Sequence, residues 1–406
     1  MESFQSPRGF HDILGEKRDR MAKISSILRA KLIERNFQEV ILPVVEYAEL
    51  FQRGVGQLTD IVQKEMFTFP DSKQRLLALR PEGTAGAVRA YLQQKLYLKP
   101  WAKLFYEGPM FRHERPQAGR YRQFHQLGAE VFGIKDPYID AQLVEILWLL
   151  AKELGLDVRV EINSVGCRVC RPDYKIKLTE YLHSVKDSLC ETCIERMDKN
   201  PLRVLDCKVK TCQEATKDAP FTINYLCKDC ESHLEGFKSA LDSLGIEYCI
   251  NPRLVRGLDY YTRSVFEFVS KRSSLTLMAG GRYDYLVEEL GGPQTPAVGF
   301  AVGLERLAEE LFVEPEESEL WLIVAFGNVI DFALKVHSHL FAKNRRVDMI
   351  VKPPKKGLEI ANKLGARFAI LIGEEEKSGG FYILKDLRTG SQERVEFHTL
   401  KEIKTK

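Results

Sequence analysis

At 406 residues, with 44% hydrophobic and 29% charged side chains, the chain has room for two or three domains and the make-up of a globular protein, not of a disordered or fibrous one. No apolar run approaches the roughly 18 residues that span a bilayer, and residues 1–12 are polar, without the apolar stretch of a secretory signal, so a cytoplasmic protein with no membrane partner is expected. A net charge of +3 is too small to announce a polyanion partner, but it is unevenly spread: residues 320–406 hold 16 Lys and Arg against 10 Asp and Glu, which leaves the first 319 residues slightly acidic.

In chain order, residues 17–34 place Met21, Ile24, Leu28 and Leu32 at helical spacing, predicting an amphipathic helix that ends at Asn36. Residues 38–45 read as a strand interrupted by Pro43, which has no N–H for a ladder and belongs at an edge or a bulge. A short apolar strand over 75–79 leads into Arg80-Pro81-Glu82-Gly83-Thr84, and that turn opens a helix with Ala85, Val88 and Leu92 on one side. Glu82 and Thr84 can cap the helix by accepting its free amides. A carboxylate there is equally a natural partner for a ligand ammonium, and both readings stand.

Residues 108–133 carry the densest polar set. They read as two strands joined by a loop over 115–122, which holds Pro116, Gly119 and three arginines and shows no apolar periodicity. Alternation puts Leu127, Ala129 and Val131 on an apolar face, and Phe124, Gln126 and Glu130 on the opposite one. On the incoming strand Met110 and Arg112 share a face. One sheet surface thus offers an aromatic plane, an amide, a carboxylate and a guanidinium beside an arginine-rich loop, a set suited to a flat base, a polyphosphate and a small polar ligand held together. The plainer reading is an amphipathic hairpin with a solvated basic loop.

Asp136-Pro137 starts a helix bearing Ile139, Leu143, Ile146, Leu147 and Leu150, ended by Gly155, and a strand follows over 159–163. All nine cysteines then fall between Cys167 and Cys249, and residues 173–244 read as a mostly helical insertion. Cys167-x2-Cys170, Cys190-x2-Cys193, Cys227-x2-Cys230 and Cys207-x4-Cys212 have spacings typical of structural zinc ligands. Free thiols, or disulfides if the source is a hyperthermophile, are the other readings.

The core resumes at Asn251. Arg256-Gly257-Leu258-Asp259-Tyr260-Tyr261 enters a strand over 264–269, and a strand over 275–279 precedes Gly280-Gly281-Arg282-Tyr283-Asp284. Paired glycines let a ligand approach the backbone, and adjacent tyrosines supply aromatic walls with hydroxyl handles. A strand over 297–302 feeds a helix at Gly303-Leu304-Glu305-Arg306-Leu307, so Arg306 stands in a first turn, where free amides already favour an anion. Beyond a polar linker over 313–319, apolar strands over 320–326, 346–351 and 368–372 alternate with helical stretches, and 381–386 and 393–397 form a hairpin turned at Thr389-Gly390.

Phe111-Arg112-His113-Glu114-Arg115, with Arg120 and Phe124 following, resembles motif 2 of the class II aminoacyl-tRNA synthetases. The continuation Gln123-Phe124-His125-Gln126-Leu127-Gly128 resembles that motif in the histidyl-tRNA synthetase family. The helix and broken strand over 17–45 resemble the dimer-forming motif 1, Arg306 resembles the motif 3 arginine, and Arg256–Tyr261 and Gly280–Asp284 resemble the two signatures of the histidyl family. The resemblance extends from Ser6 to about Lys401. It implies an α/β (α+β) fold: a class II catalytic core on an antiparallel sheet over 1–319, with the helical insertion at 173–244, and an anticodon-binding α/β domain over 320–406.

The activity implied is that of a homodimeric ligase that joins L-histidine to ATP, releases pyrophosphate, and passes histidine to the 3′ end of tRNA(His). In that scheme Arg112 and Arg256 flank the α-phosphate, with Arg256 as the catalytic cation, and Arg120 and Arg306 hold the outer phosphates. Glu114 meets the adenine amino group, Phe124 the adenine face, and Mg²⁺ bridges phosphates. Histidine is read by Glu82, Gly83, Thr84, Gln126, Glu130, Tyr260, Tyr261 and Tyr283 together with Arg112 and Arg256. In-line displacement at phosphorus asks mainly for positioning and charge neutralisation, which suits a site with several arginines and no nucleophile. Zinc is outside the family's active site, so any Zn²⁺ at the eight paired cysteines is structural. The rival is the regulatory paralogue of ATP phosphoribosyltransferase, a non-enzyme with the same body that binds histidine; the C-terminal unit and the two signature strings speak against it.

Overall fold

Helix α1 (Gly15–Glu34) buries Met21, Ile24, Leu28 and Leu32, the stripe its periodicity marks. The structure is a computed structural model that describes residues 4–56, 59, 61–114, 121–311 and 319–397. It divides into two compact units, Met1–Phe312 and Val313–Lys406. The single strand expected over 38–45 is two, β1 (Gln38–Glu39) and β2 (Val45–Tyr47), in different sheets. The break falls at Leu42 and Pro43: the Leu42 carbonyl accepts the Arg80 guanidinium at 2.9 Å instead of a ladder N–H, and Pro43 has no N–H to give. The Val44 carbonyl, accepting the Arg80 backbone N–H at 2.9 Å, already belongs to the ladder of β2 with the strand Leu76–Leu79. Helix α2 (Ala48–Gly54), β3 (Thr68–Pro70) and β4 (Leu76–Leu79) follow, and the described strands here pair antiparallel in the order β2-β4-β3.

Helix α3 (Thr84–Gln93) leads to the long hairpin of β5 (Ala102–Phe111) and β6 (Gln123–Phe132), in register from Ala102 opposite Phe132 to Phe111 opposite Gln123. Next come α4 (Tyr138–Glu153), β7 (Val158–Ser164) and the insertion, helical as its composition suggests: α5 (Arg171–Ser184), α6 (Glu191–Lys199), α7 (Leu202–Leu205), α8 (Lys210–Ala215) and α9 (Lys228–Ser243). The chain returns through β8 (Cys249–Ile250), β9 (Thr262–Ser270), β10 (Thr276–Arg282), α10 (Leu286–Glu289), β11 (Ala297–Gly303) and α11 (Leu304–Glu310). Among the described residues the main sheet runs β1-β5-β6-β11-β10-β9-β7-β8, antiparallel except for its two short edge strands, β1 and β8, which pair parallel. Gly280 and Gly281, read as following a strand, lie inside β10, because β9 and β11 pair with them on both sides.

The second unit holds β12 (Leu320–Ala325), α12 (Ile330–Ala342), β13 (Arg346–Val351), α13 (Pro354–Lys363), β14 (Phe368–Ile372), α14 (Glu374–Gly379), β15 (Phe381–Asp386) and β16 (Gln392–Glu396). Its described strands order as β13-β12-β14-β15-β16; the first three are parallel and joined by helices, as apolar runs without alternation require. No described helix is long and apolar enough to cross a membrane.

Candidate active site

Strands β6, β10 and β11 lie side by side, so residues far apart in sequence face one cleft of about 340 Å³. Register sets the positions: Gln126 is opposite Gly108 on β5 and Gly303 on β11, while Glu130 is opposite Leu104 and Gly299. Glu130 is 1% exposed. Its Oε1 accepts the hydroxyls of Thr84 (2.8 Å) and Tyr106 (2.9 Å), and its Oε2 accepts that of Tyr283 (2.6 Å). Glycines make the room: a Cβ at Gly299 would lie 1.7 Å from Glu130 Oε2, and one at Gly83 would lie 2.0 Å from the Tyr106 ring. Burial pushes Glu130 up to about 8, against the three hydroxyl donors and with help from the charge of Glu82. Burial likewise raises the phenols of Tyr106, Tyr260 and Tyr283, so they remain donors at neutral pH.

Glu82 takes the capping role read from its position: its oxygens accept the amides of Thr84 (2.7 Å) and Ala85 (2.8 Å) at the start of α3. Burial nevertheless raises its pKa above the usual carboxylate range. It also lines the cleft, so capping and ligand contact are compatible.

The other wall is cationic. Arg112 donates through Nε to Pro81 O (2.9 Å), stands 3.8 Å from Glu114, and lies over the Phe124 ring at 5.3 Å. Arg256 pairs with Glu267 through Nη1, and its guanidinium is 5.9 Å from the Tyr261 ring centroid. Its Nε is buried with no hydrogen-bond partner among the described residues. Arg306 donates to Thr276 O at 2.8 Å. Gly83, Tyr260, Tyr261 and Tyr283 line the same cleft, so every described residue expected to hold histidine or ATP converges there. Arg120 and most of its loop lie outside the described residues.

A family model described as Histidyl-tRNA synthetase matches residues 9–180 and 182–307, and one described as Anticodon binding domain matches 321–405. The chain belongs to the histidyl-tRNA synthetase family. It is 56% identical over 402 residues to the histidine–tRNA ligase of Aquifex aeolicus (strain VF5), covering 98% of this chain and 100% of that one. It is 43% identical to that of Desulfitobacterium hafniense (strain DSM 10664 / DCB-2), covering 99% and 97%. The apo histidyl-tRNA synthetase of S. aureus superposes with a TM-score of 0.78 at 33% identity, over 97% of each chain.

In this member of the histidyl-tRNA synthetase family the cleft includes residues that sequence reading passes over. Tyr106 faces Gly128 across the hairpin, and Glu267 on β9 accepts both Arg256 and the Thr276 hydroxyl (2.8 Å). Glu267 carried a signal, the single charge within the strand read over 264–269. Glu305, 3% exposed, accepts the backbone N–H of His125 and sits 2.7 Å from its Nδ1. Asp206 and Lys208 reach the cleft from the insertion, and nothing in their local sequence distinguishes them.

The cysteines form two groups of four. Cys167, Cys170, Cys227 and Cys230 come together where β7 meets α5 and α9 begins, and Cys190, Cys193, Cys207 and Cys212 gather at the starts of α6 and α8; within each group the sulfurs lie within 4.8 Å of one another. All nine cysteines are free. Sγ–Sγ distances of 3.5, 3.8 and 4.0 Å bracket the ~3.8 Å edge of a tetrahedron with ~2.3 Å metal–sulfur bonds. They far exceed a disulfide bond. Backbone amides also point at the sulfurs, among them those of Val169 (3.3 Å) and Cys227 (3.3 Å) toward Cys167 and Cys170. The eight residues fit structural Zn²⁺.

Proposed function

We infer that the chain is a histidine–tRNA ligase, which activates L-histidine with ATP and transfers it to tRNA(His). The observation that carries this reading is the buried Glu130, caged by Thr84, Tyr106 and Tyr283 in the same cleft as Arg112, Arg256 and the Phe124 ring. A carboxylate there can accept an imidazole N–H beside its three hydroxyl donors, a bond that amino acids lacking that donor forgo. Glu82 and Thr84 take the substrate ammonium, with Gly83, Gln126, Tyr260 and Tyr261 completing the pocket. Arg112 and Arg256 neutralise the α-phosphate as charge moves onto its oxygens, Arg306 and Arg120 hold the outer phosphates, and Glu114 and Phe124 hold adenine. With Nη1 of Arg256 on Glu267, its guanidinium keeps further N–H groups for that task. Class II enzymes work with ATP and Mg²⁺; the cation would add to the charge neutralisation that Arg112, Arg256 and Arg306 supply, and the protein's part is to place the phosphates.

Residues 1–319 act as the catalytic part, with 173–244 inserted, and 320–406 take up tRNA. Ile33 and Ile41, 60% and 91% exposed in the segment resembling motif 1, support a homodimer. Two four-thiolate groups support one structural Zn²⁺ each and a reducing, cytoplasmic setting. The regulatory reading is not favoured: an ATP phosphoribosyltransferase regulatory subunit/histidyl-tRNA synthetase from Bacillus halodurans C is similar at 22% identity and a TM-score of 0.69, a likeness of fold alone. Histidine-dependent exchange of pyrophosphate into ATP, followed by charging of a tRNA(His) transcript, tests the assignment. Histidine binding without exchange, or exchange driven by another amino acid, would overturn it.

A further inference from the structure

The first cysteine group and the histidine pocket share a frame, and its hub is Arg263. This residue has φ +50°, a left-handed backbone that a non-glycine residue keeps only when its surroundings enforce it. Its N–H donates to Gly166 O and its carbonyl accepts from Val165, both at 2.8 Å, just before Cys167. Its Nη1 donates to the carbonyl of Asp229 (3.0 Å), between Cys227 and Cys230, and its Nε lies 3.2 Å from Asp284, the residue after Tyr283. Arg171, directly after Cys170, donates to Val165 O (2.9 Å) and to the carbonyl of Tyr261. Arg168, between Cys167 and Cys170, stacks on Tyr285 at 3.9 Å and pairs with Glu288 (3.2 Å) and Glu289 (2.7 Å). Both halves of the group are therefore tied to the backbone bearing Tyr261 and Tyr283, and Tyr283 donates directly to Glu130.

We propose that a zinc ion held by Cys167, Cys170, Cys227 and Cys230 positions the histidine pocket, so that affinity for histidine, far more than for ATP, depends on that metal. The proposal rests on the zinc reading above. The physical reason is that the two cysteine pairs are far apart in sequence and belong to different elements, the turn after β7 and the first turn of α9. A metal bridging them makes one rigid body of the Arg171 and Asp229 anchors; without it each anchor moves with its own element. The second group is tied differently: Cys193 and Cys212 pack into the insertion's own apolar core, and the bonds beside Cys212 run to Arg253, which donates to Gln213 O (3.1 Å) and Thr216 O (2.7 Å).

The test uses the full-length protein, with zinc measured by elemental analysis and KM values by pyrophosphate exchange. The wild type should hold two zinc ions, one per group. Folded Cys227→Ser should hold one fewer, with histidine KM raised about tenfold and ATP KM within about twofold. Arg263→Ala should keep both ions and raise histidine KM alike, and the double variant should be no worse than the single ones, because both act on one link. Wild-type protein with less than one equivalent of zinc would overturn the zinc reading and this proposal together. A folded Cys227→Ser protein that lacks one ion and keeps its histidine KM, or additive losses in the double variant, would overturn the proposal and leave the zinc reading standing. Should Cys227→Ser not fold, Arg263→Ala decides: an unchanged histidine KM with both ions bound overturns the coupling.

Discussion

Glu130 is a carboxylate set where charge is disfavoured, and its pH behaviour follows from that. Burial raises it on folding from the ordinary range to about 8, so between roughly pH 4.5 and 8 the native state holds a proton that the unfolded chain has released. Stability of the ligand-free protein should therefore fall as pH rises through that window and level off above it, and Glu130→Gln should flatten the slope in urea titrations. Pairing an imidazole N–H with the ionised carboxylate should expel the proton, so histidine binding at pH 7 should release protons. Calorimetry in buffers of different ionisation enthalpy reads this, and a buffer-independent heat in the wild type would exclude it. Glu130→Gln should also weaken histidine by at least about tenfold while leaving ATP binding near wild type. Equal losses for both ligands, in direct binding measurements, would place Glu130 away from the amino acid. Arg256 acts on the other side of the cleft. A cation needed most as charge develops contributes mainly to the rate, so Arg256→Ala should slow single-turnover adenylate formation by about a hundredfold or more and change histidine binding far less. A rate within a few-fold of wild type would remove it from the chemistry.

At the scale of elements, the pocket is braced by an ion pair buried among α4, β9 and β10. Arg282 and Asp140 are both fully buried; Arg282 Nε is 3.1 Å from Asp140 Oδ1, and the same carboxylate accepts the Ser264 hydroxyl. Arg282 also donates to Ile134 O at 3.0 Å, which satisfies a further N–H. On α9, His233 Nε2 stands 3.8 Å from Asp140, and burial pushes its pKa down to about 4, so it adds no charge at neutral pH. Asp140→Ala should leave the guanidinium only Asp284, 3.3 Å away, as a described carboxylate partner and cost about 3 kcal/mol in equilibrium unfolding. Because Arg282 precedes Tyr283, the folded variant should also bind histidine more weakly. A loss under about 1 kcal/mol would mean that Asp284 and the neighbouring carbonyls satisfy Arg282 without Asp140.

For the whole molecule, charge and chemistry are segregated. The cleft lies in the first unit, while the excess of basic residues lies in 320–406. Deleting 320–406 should spare histidine-dependent pyrophosphate exchange and sharply reduce tRNA charging, and the full-length protein's tRNA affinity should fall as salt rises, through counterion release. Normal charging by the folded, truncated protein would assign the module another purpose.

Much of this was legible in the sequence wherever the deciding interaction is between near neighbours. Alternation placed Phe124, Gln126 and Glu130 on one face, helical spacing marked the α1 stripe, and apolar runs without alternation marked β12 and β14, because side-chain direction is a local property of the backbone. The motif strings named the residues of the cleft but not how they meet. That Glu130 is caged by Tyr106, Thr84 and Tyr283 depends on β6 lying beside β5 and β11, and on glycines opposite it that matter only after pairing. The strand over 38–45 was misread because the Leu42 carbonyl goes to the Arg80 side chain, a partner 38 residues away, and the chain changes sheets there. Cysteine spacing marked the pairs, whose members are no more than five residues apart. Which pair joins which was decided by the packing of the insertion, since α9 returns its first turn to the end of β7 while the two middle pairs meet within the helical insertion itself.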